Sequence, residues 1–370
     1  MTISTHKHHR LPHTFLLALF SLYASLAIGA DTMQQYQLVK KDSGYVLQLA
    51  TVPVPAITAG QILVKVHAAS LNRRDVFVLQ GSYPGGDASG NVPLSDGAGE
   101  VIAVGKDVQA FKVGDRVAGT FFALWRDGKF SPAALASARG GSVSGMLAEM
   151  VVATEDSLVR IPDHLTYEEA STLPCAGVTA WNALFKAAHL QAGEYVLLEG
   201  TGGVSIFGLQ FAVAAGAKPI ITSSSDDKLA KTREFGAVGT INYKTKPDWE
   251  KEVMTLTNNV GVDHVLEVGG QDTIGKAAAS IAFGGHIALI GGLSGFGGNL
   301  PALGLMGRGA SASGIYVGSK ADFEAMNVFI DKHKIKPVID RVFPFAEAPA
   351  ALKYMEESGF IGKIVIKVGS

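Results

Sequence analysis

Tyr195-Val196-Leu197-Leu198-Glu199 runs straight into Gly200-Thr201-Gly202-Gly203-Val204-Ser205, and the residues after it, to Ala215, continue with the period of a helix. A short apolar strand, a glycine turn and a helix start, in that order, leave unpaired backbone N–H groups and the positive end of a helix dipole above the strand, where an anion is favoured. In a dinucleotide fingerprint Gly200 makes the tight turn and Gly202 lets the backbone close on a pyrophosphate, with Thr201, Gly203 and Val204 completing the cradle. The third fingerprint position, where close helix–strand packing asks for a small residue, holds Ser205 rather than glycine. The competing reading is an ordinary glycine turn, and the segments around it decide between the two.

Downstream, Pro219-Ile220-Ile221-Thr222, Gly239-Thr240-Ile241-Asn242-Tyr243, Val262-Asp263-His264-Val265-Leu266-Glu267 and His286-Ile287-Ala288-Leu289-Ile290 alternate with helical stretches near 227–235, 249–257 and 273–281. Such alternation predicts an α/β unit: a doubly wound parallel sheet covered on both faces. Upstream, residues 36–161 are short β-branched runs broken by Gly, Pro and Asp, among them Gln61-Ile62-Leu63-Val64-Lys65-Val66. That pattern predicts a compact, mostly β domain. Residues 126–145, rich in Gly, Ala and Ser without a period, read as a mobile loop. Helices are expected over 167–173 and 176–188, a short apolar run at Ile315-Tyr316-Val317, and further helices over 321–333 and 346–357. The isolated closing strand Lys363-Ile364-Val365-Ile366-Lys367 cannot found a domain and is expected to return to the first one. The expected division is 33–160 with 315–370 as one discontinuous domain, and 161–314 as the nucleotide-binding domain.

An NAD site would place an acidic residue about 20 positions beyond the glycine turn, against the ribose 2′-OH. Here the strand ends in Ser223-Ser224-Ser225, and Asp226 and Asp227 come late enough to read as the cap and first turn of the next helix. Serine hydroxyls and Lys228 suit the additional charge of a 2′-phosphate, so NADP(H) is expected in preference to NAD(H). The competing reading makes Lys228 a solvated helix residue.

The chain of 370 residues allows roughly two domains of about 150 residues. With 32 Lys+Arg against 33 Asp+Glu and no basic block, nothing suggests a nucleic-acid partner. A single cysteine excludes an internal disulfide framework and a four-cysteine zinc lobe. Residues 1–30 carry Lys7, Arg10 and four histidines, then an apolar run from Phe15 that ends in Ala27-Ile28-Gly29-Ala30, the pattern of a secretory signal. An uncleaved anchor and a true start at Met33 are the competing readings. A cleaved signal implies a periplasmic or secreted protein; a start at Met33 implies a cytoplasmic one, where nicotinamide coenzymes are supplied. No later segment is apolar for long enough to span a bilayer, so no stable membrane insertion of the mature chain is expected.

Phe111-Lys112-Val113-Gly114-Asp115-Arg116-Val117, Gly177-Val178-Thr179-Ala180-Trp181, the glycine turn, Gly261-Val262-Asp263-His264-Val265-Leu266-Glu267 and Phe283-Gly284-Gly285-His286-Ile287-Ala288-Leu289-Ile290-Gly291 occur in one order. From Met33 onward this chain resembles the medium-chain dehydrogenase/reductase superfamily, and within it the zinc-independent, quinone oxidoreductase-like branch. The resemblance implies a GroES-like β domain split around a Rossmann domain, an active site in the cleft between them, and a homodimer. It puts Asn72 where the zinc-dependent branch has its first cysteine, Ser95 at the histidine, Asp96 at the glutamate and Cys175 at the last ligand. Asn and Ser are poor zinc ligands, so no zinc is expected; Cys175 reads as a small packed residue, with a reactive thiol as the alternative. His67, His164, His189, His264, His286 and His333 read as structural or surface residues.

By the same resemblance, Asn72 and Tyr83, the latter in Gln80-Gly81-Ser82-Tyr83-Pro84, are the candidate donors to the substrate oxygen. A turn-capping Asn72 and a packed Tyr83 are the alternatives, and Phe77 lacks the hydroxyl that the branch has at a second such position. Thr179 is implied near the nicotinamide, Tyr243 near the adenosine phosphate, and Ile290, Gly291, Gly292, Ile315 and Tyr316 along the carboxamide. The expected function is NAD(P)H-dependent, zinc-free hydride transfer to a quinone, an α,β-unsaturated carbonyl or a related small-molecule acceptor. Alcohol/aldehyde interconversion and a non-enzymatic nucleotide-binding sensor or structural protein remain as alternatives.

Overall fold

The computed structural model describes residues 1–2, 31–84, 86–295, 297–357 and 359–369, so the leader reading lies outside the described residues. The chain divides into two units, Met1–Asp31 and Thr32–Ser370, and the second holds the sheets of the fold. Among the described residues no helix is long and apolar enough to cross a membrane.

A hairpin of β1 (Thr32–Lys41) and β2 (Gly44–Pro53) opens the unit. After it come β3 (Gln61–Ser70), α1 (Arg73–Leu79), β4 (Asp96–Val104), β5 (Arg116–Gly119), α2 (Pro132–Leu135), β6 (Met150–Thr154) and β7 (Leu158–Arg160). Strand β3 pairs antiparallel with both β4 and β6, and β4 continues through β5 to β7. Alternate residues of β3 face the core: Ile62, Val64 and Val66 are buried, while Lys65 is exposed.

Two short helices, α3 (Tyr167–Ser171) and α4 (Val178–Trp181), lead to the second sheet, with wider π-helical turns at Leu173–Gly177 and Asn182–Ala187. The expected helix over 176–188 is therefore irregular, with Pro174 inside the first π turn, where a missing N–H breaks the regular ladder. Then follow β8 (Tyr195–Leu198), α5 (Gly203–Ala214), β9 (Lys218–Ser223), α6 (Asp226–Glu234), β10 (Gly239–Asn242), α7 (Trp249–Leu256), β11 (Val262–Glu267), α8 (Ile274–Ser280), β12 (Ile281–Leu289), α9 (Ala302–Arg308) and β13 (Ser311–Gly314). These strands form one parallel sheet in the order β10-β9-β8-β11-β12-β13. The chain runs outward from β8 to β10 and then returns to lay β11 on the other side of β8. The crevice above the C-terminal ends of β8 and β11 is thus the topological switch point, where open α/β sheets bind ligands.

The last elements are α10 (Lys320–His333), β14 (Ile339–Pro344), α11 (Ala348–Glu356) and β15 (Lys363–Lys367). Strand β15 pairs antiparallel with β3, Val365 opposite Ser70, and parallel with β14. Lys363, Ile364, Val365 and Ile366 are all buried, which only an interior strand position allows.

Two of these expectations need correction. Residues 126–145 are packed: Ser131 caps α2, Phe122 and Ala138 form a β bridge, and Ala134 and Ala138 lie in the core. Small alanines that fill a tight core leave no apolar period, so the segment looked patternless. The apolar run at 315–317 lies just beyond β13, which ends at Gly314, and Val317 takes a φ of 55°, a strained conformation for a β-branched residue. The packing role assigned to position 205 falls to Gly208, where a Cβ would come within 2.8 Å of both Leu198 and Leu266. Ser205 fits because its hydroxyl turns back to donate to the Glu199 carbonyl at 2.6 Å.

Candidate active site

Gly200 has a φ of 71°, a conformation cheap only for glycine, and it turns the chain from β8 toward α5. Gly202 is the N-cap of α5 with no side-chain cap, so the first N–H groups of the helix stay available. A Cβ at Gly200 or Gly202 would meet nothing within 4 Å, which leaves space above the loop that a dinucleotide's pyrophosphate suits. Thr201 and Val204 lie along the same turn, and Thr201 accepts the Gly362 N–H at 2.9 Å through its carbonyl.

Beneath this loop sits a pair of carboxyls that the sequence reading did not single out. Glu199 directly follows β8 and Glu267 is the last residue of β11, and both are buried. Glu199 accepts N–H bonds from Val268 and Gly269 at 3.3 and 3.2 Å, while Glu267 accepts from Gly270 at 2.8 Å and from the Thr273 hydroxyl at 2.7 Å. Burial first, and the adjacent Glu267 second, hold the Glu199 carboxyl well above the usual carboxylate range. The pair fastens the loops after β8 and β11 to each other.

Where the sequence reading expects the adenosine, Ser223 is buried at the tip of β9, and its hydroxyl accepts the Ser225 N–H at 3.3 Å. Ser225, rather than Asp226, caps α6 by accepting the Lys228 N–H, which places Asp226 and Asp227 in the first turn. Asp226 is held by the Asn242 amide at 2.9 Å. Ser224 and Lys228 are half-buried; burial lowers the lysine's pKa and the charge of Asp340 opposes this. The Tyr243 ring is exposed, its backbone fixed to the Ser223 carbonyl.

Where the resemblance expects the nicotinamide, Leu289 and Gly314 are register partners, so Ile290, Gly291 and Gly292 leave the sheet beside Ile315 and Tyr316. Thr179 is buried on α4 with its hydroxyl donated to the Cys175 carbonyl at 2.7 Å. Tyr316 and Tyr83 meet across the site, hydroxyl to hydroxyl at 2.6 Å. Burial and then the Tyr83 charge raise the Tyr316 phenol, so it stays protonated. The Arg74 guanidinium stacks between Tyr83 (4.6 Å) and Phe121 (4.7 Å) and donates to the Arg139 carbonyl at 2.8 Å.

Asn72 caps α1, its backbone N–H donating to Asp75 at 2.7 Å. Burial pushes the Asp75 carboxyl up to about 6, against the pull of Arg74 3.6 Å away. Lys363, from the far end of the chain, donates to the Asn72 Oδ1 at 2.5 Å and to the Leu71 carbonyl at 2.6 Å, and its Nζ lies 3.7 Å from Asp96. Asp96 also accepts from the Ser95 hydroxyl at 2.7 Å and the Cys175 N–H at 3.2 Å. Cys175 borders both groups of residues, feeling the charges of Asp96, Lys363, Arg74 and Asp75, and burial holds its thiol far above the usual range. That favours a packed thiol over a reactive one.

The predicted cradle, serines and nicotinamide-lining residues thus all lie at the C-terminal edge of the parallel sheet, and Asn72 and Tyr83 flank α1. Sequence reading missed Arg74, Glu199, Glu267 and Lys363. The one available signal was polarity: a lysine opening an apolar strand, and glutamates closing two others.

A zinc ion at the positions the resemblance marks would meet the Asn72 amide, the Ser95 hydroxyl, the Asp96 carboxylate and Cys175, with the Lys363 ammonium already among them. Zinc asks for thiolate, imidazole and carboxylate donors, so this set does not fit it.

Residues 58–163 match the alcohol dehydrogenase GroES-like domain and residues 203–332 the zinc-binding dehydrogenase family. The chain is 43% identical over 318 residues to a zinc-type alcohol dehydrogenase-like protein of Schizosaccharomyces pombe, covering 84% of this chain and 92% of that one. It is 28% identical over 350 residues to a quinone oxidoreductase of Rattus norvegicus, covering 92% and 99%. A solved structure of an NAD-dependent alcohol dehydrogenase matches with a TM-score of 0.83 at 32% identity, over 91% of this chain and all of the other.

Proposed function

From the premise that the chain belongs to the medium-chain dehydrogenase/reductase superfamily, as one of its NAD(P)-dependent oxidoreductases, we propose that it is a zinc-free, NADPH-preferring reductase of quinones, α,β-unsaturated carbonyls or related acceptors. When bound, the coenzyme supplies a hydride from nicotinamide C4 and is left oxidised.

In this reading the residues of the chain bind, orient and donate. The glycine turn and the N-terminus of α5 hold the pyrophosphate, while Ser223, Ser224, Ser225 and Lys228 take the 2′-phosphate. Asn72 and Tyr83 donate to the acceptor oxygen, in place of a Lewis acid. The acceptor gains the hydride at carbon, or at the far end of a conjugated system, and a proton at oxygen from Tyr83. Tyr83 regains that proton from solvent, and the Tyr316 hydroxyl 2.6 Å away, which keeps its own proton, holds the Tyr83 hydroxyl in place.

The observation that carries the proposal is the open space at Gly202 above an uncapped helix start, on the same sheet edge as the Tyr83–Tyr316 pair. Calorimetry with NADPH and NADH, followed by an NADPH-oxidation screen over quinones, enones and aldehydes, tests it. Tighter binding of NADPH, with turnover of quinones or enones, is the expected result; no heat with either coenzyme would overturn it. The printed names of the fission-yeast relative and of the NAD-dependent structure favour a second reading, alcohol/aldehyde interconversion. Stoichiometric zinc by elemental analysis, with aldehyde turnover, would select it. For the leader, a cleaved signal predicts that the native protein begins near Ala30; recovery of Met1 or Met33 by N-terminal sequencing excludes cleavage.

A further inference from the structure

Lys363 is among the most buried charged residues described, at 3% exposure, and its partner Asp96 is fully buried. Desolvating an ammonium costs several kcal/mol, and a methionine of similar length would fill the volume without that cost. Stability alone therefore does not call for a charge at this position. What the charge touches is more informative. An ammonium can only donate, so the Asn72 atom 2.5 Å from Nζ must be the carbonyl oxygen, and the amide orientation follows. The Nδ2 group turns the other way, toward the Asp96 carboxylate, which it helps to keep charged, and it is buried without closing a hydrogen bond of full geometry. A buried N–H that lacks a well-formed hydrogen bond is unfavourable, and an arriving acceptor oxygen would complete one.

The lysine also reaches the coenzyme side. A Cβ added at Gly203, the first residue of α5, would fall 2.7 Å from Lys363 Cδ, so the side chain passes directly beside the phosphate cradle. Gly362 fixes this path: its φ is 74°, a Cβ there would come within 2.3 Å of the Val338 carbonyl, and its N–H is bound to Thr201.

We propose that Lys363 is a positioning residue for the acceptor site: a fixed internal cation, seated among the positions that bind metal elsewhere in the superfamily, that clamps the Asn72 carbonyl so that the amide donors face the acceptor oxygen. This rests on the reading of Asn72 as an acceptor donor. It extends that reading to a residue near the far end of the chain and to a role that no metal fills.

Lys363→Met alone strands the Asp96 carboxylate, so the informative variant is Lys363→Met with Asp96→Asn, which removes both charges. Thermal unfolding of this double variant should stay near wild type, and its NADPH affinity by calorimetry within about threefold, since the cradle itself is backbone. Turnover of the best acceptor should fall by about 10–100-fold in kcat with a much smaller change in KM, the size seen when the partner that orients a first-contact ligand is removed. The Asn72 side-chain amide resonances, assigned by their loss in Asn72→Ala, should shift and broaden. A folded double variant with kcat within about twofold of wild type and unmoved Asn72 resonances would make Lys363 structural only. Weakened NADPH binding at unchanged kcat would assign its charge to the coenzyme phosphates instead. If wild type turned over no acceptor, the proposed function would fail by itself, and the Asn72 resonances would still decide the role of Lys363.

Discussion

A Cβ placed on Gly202 meets nothing within 4 Å, whereas one placed on the next residue, Gly203, lands 2.7 Å from Lys363 and 3.1 Å from Ala176. The two neighbours mark the border between two differently built regions. On the coenzyme side the surface is backbone: a turn with a positive φ, an uncapped helix start and open space. On the acceptor side it is side chains, with Asn72, Arg74, Asp75, Asp96 and Lys363 all at most 8% exposed and bound to one another. A backbone site tolerates change until something fills its space. A side-chain site fails when any one member of the network is removed, because the partner left behind is buried and unpaired.

The largest expected effect breaks the first region only. Gly202→Val should weaken nucleotide binding by on the order of 10³-fold or more, by occupying the phosphate space, with little change in thermal stability. Gly203→Val should do the reverse in emphasis, lowering the melting temperature through its clash with Lys363 and Ala176. If the two variants behaved alike in both assays, the border between the regions would not exist. Next, Asn72→Ala should reduce kcat by about 10²–10³-fold while leaving NADPH affinity unchanged, the cost of one lost oxyanion-type donor. Steady-state kinetics beside calorimetry check this, and a parallel loss of nucleotide binding would count against an acceptor role.

The third effect concerns pH. Burial raises the Asp75 carboxyl to about 6 from 3.8, so the folded state holds its proton more tightly than the unfolded chain does. The stability this contributes is full below the unfolded value and is lost as pH rises through the folded one, about 3 kcal/mol over that window. Burial raises Asp96 and Glu199 in the same direction, so they add to the slope. Urea unfolding of Asp75→Asn between about pH 4 and 7 should show a shallower decline than wild type; an identical profile would show that Asp75 is not the group involved. The smallest effect tests the adenosine end, where Lys228→Ala should narrow the NADPH-over-NADH preference by about tenfold or less, the worth of one partly exposed charge contact. Equal affinities in wild type would remove the preference altogether.

How much was legible in advance follows the same division. The glycine turn, the alternating strands and helices and the closing strand could be read because each is specified within a few neighbouring residues. The cap role of Ser225 was not legible, because Asp226 and Asp227 beside it are equally good cap residues and only the backbone geometry chooses. The packed segment around α2 escaped notice because its alanines bury without any period. Tyr316 was placed near the coenzyme, yet its hydroxyl contact with Tyr83 joins positions 233 residues apart, and no local pattern carries that information.

By itself the sequence determined the alternating strands and helices of the parallel sheet, the glycine turn that opens α5 and the absence of a histidine–cysteine ligand set at positions 72, 95 and 96, since backbone turns and residue chemistry act over short stretches of chain. Only the tertiary structure decided that Lys363, entering beside β3, would stand against Asn72 and Asp96, that Tyr83 would meet Tyr316, and that Glu199 and Glu267 would tie two loops together. Those contacts depend on which strands lie side by side, and that is settled by burying apolar faces across the whole fold rather than by any segment's own preferences.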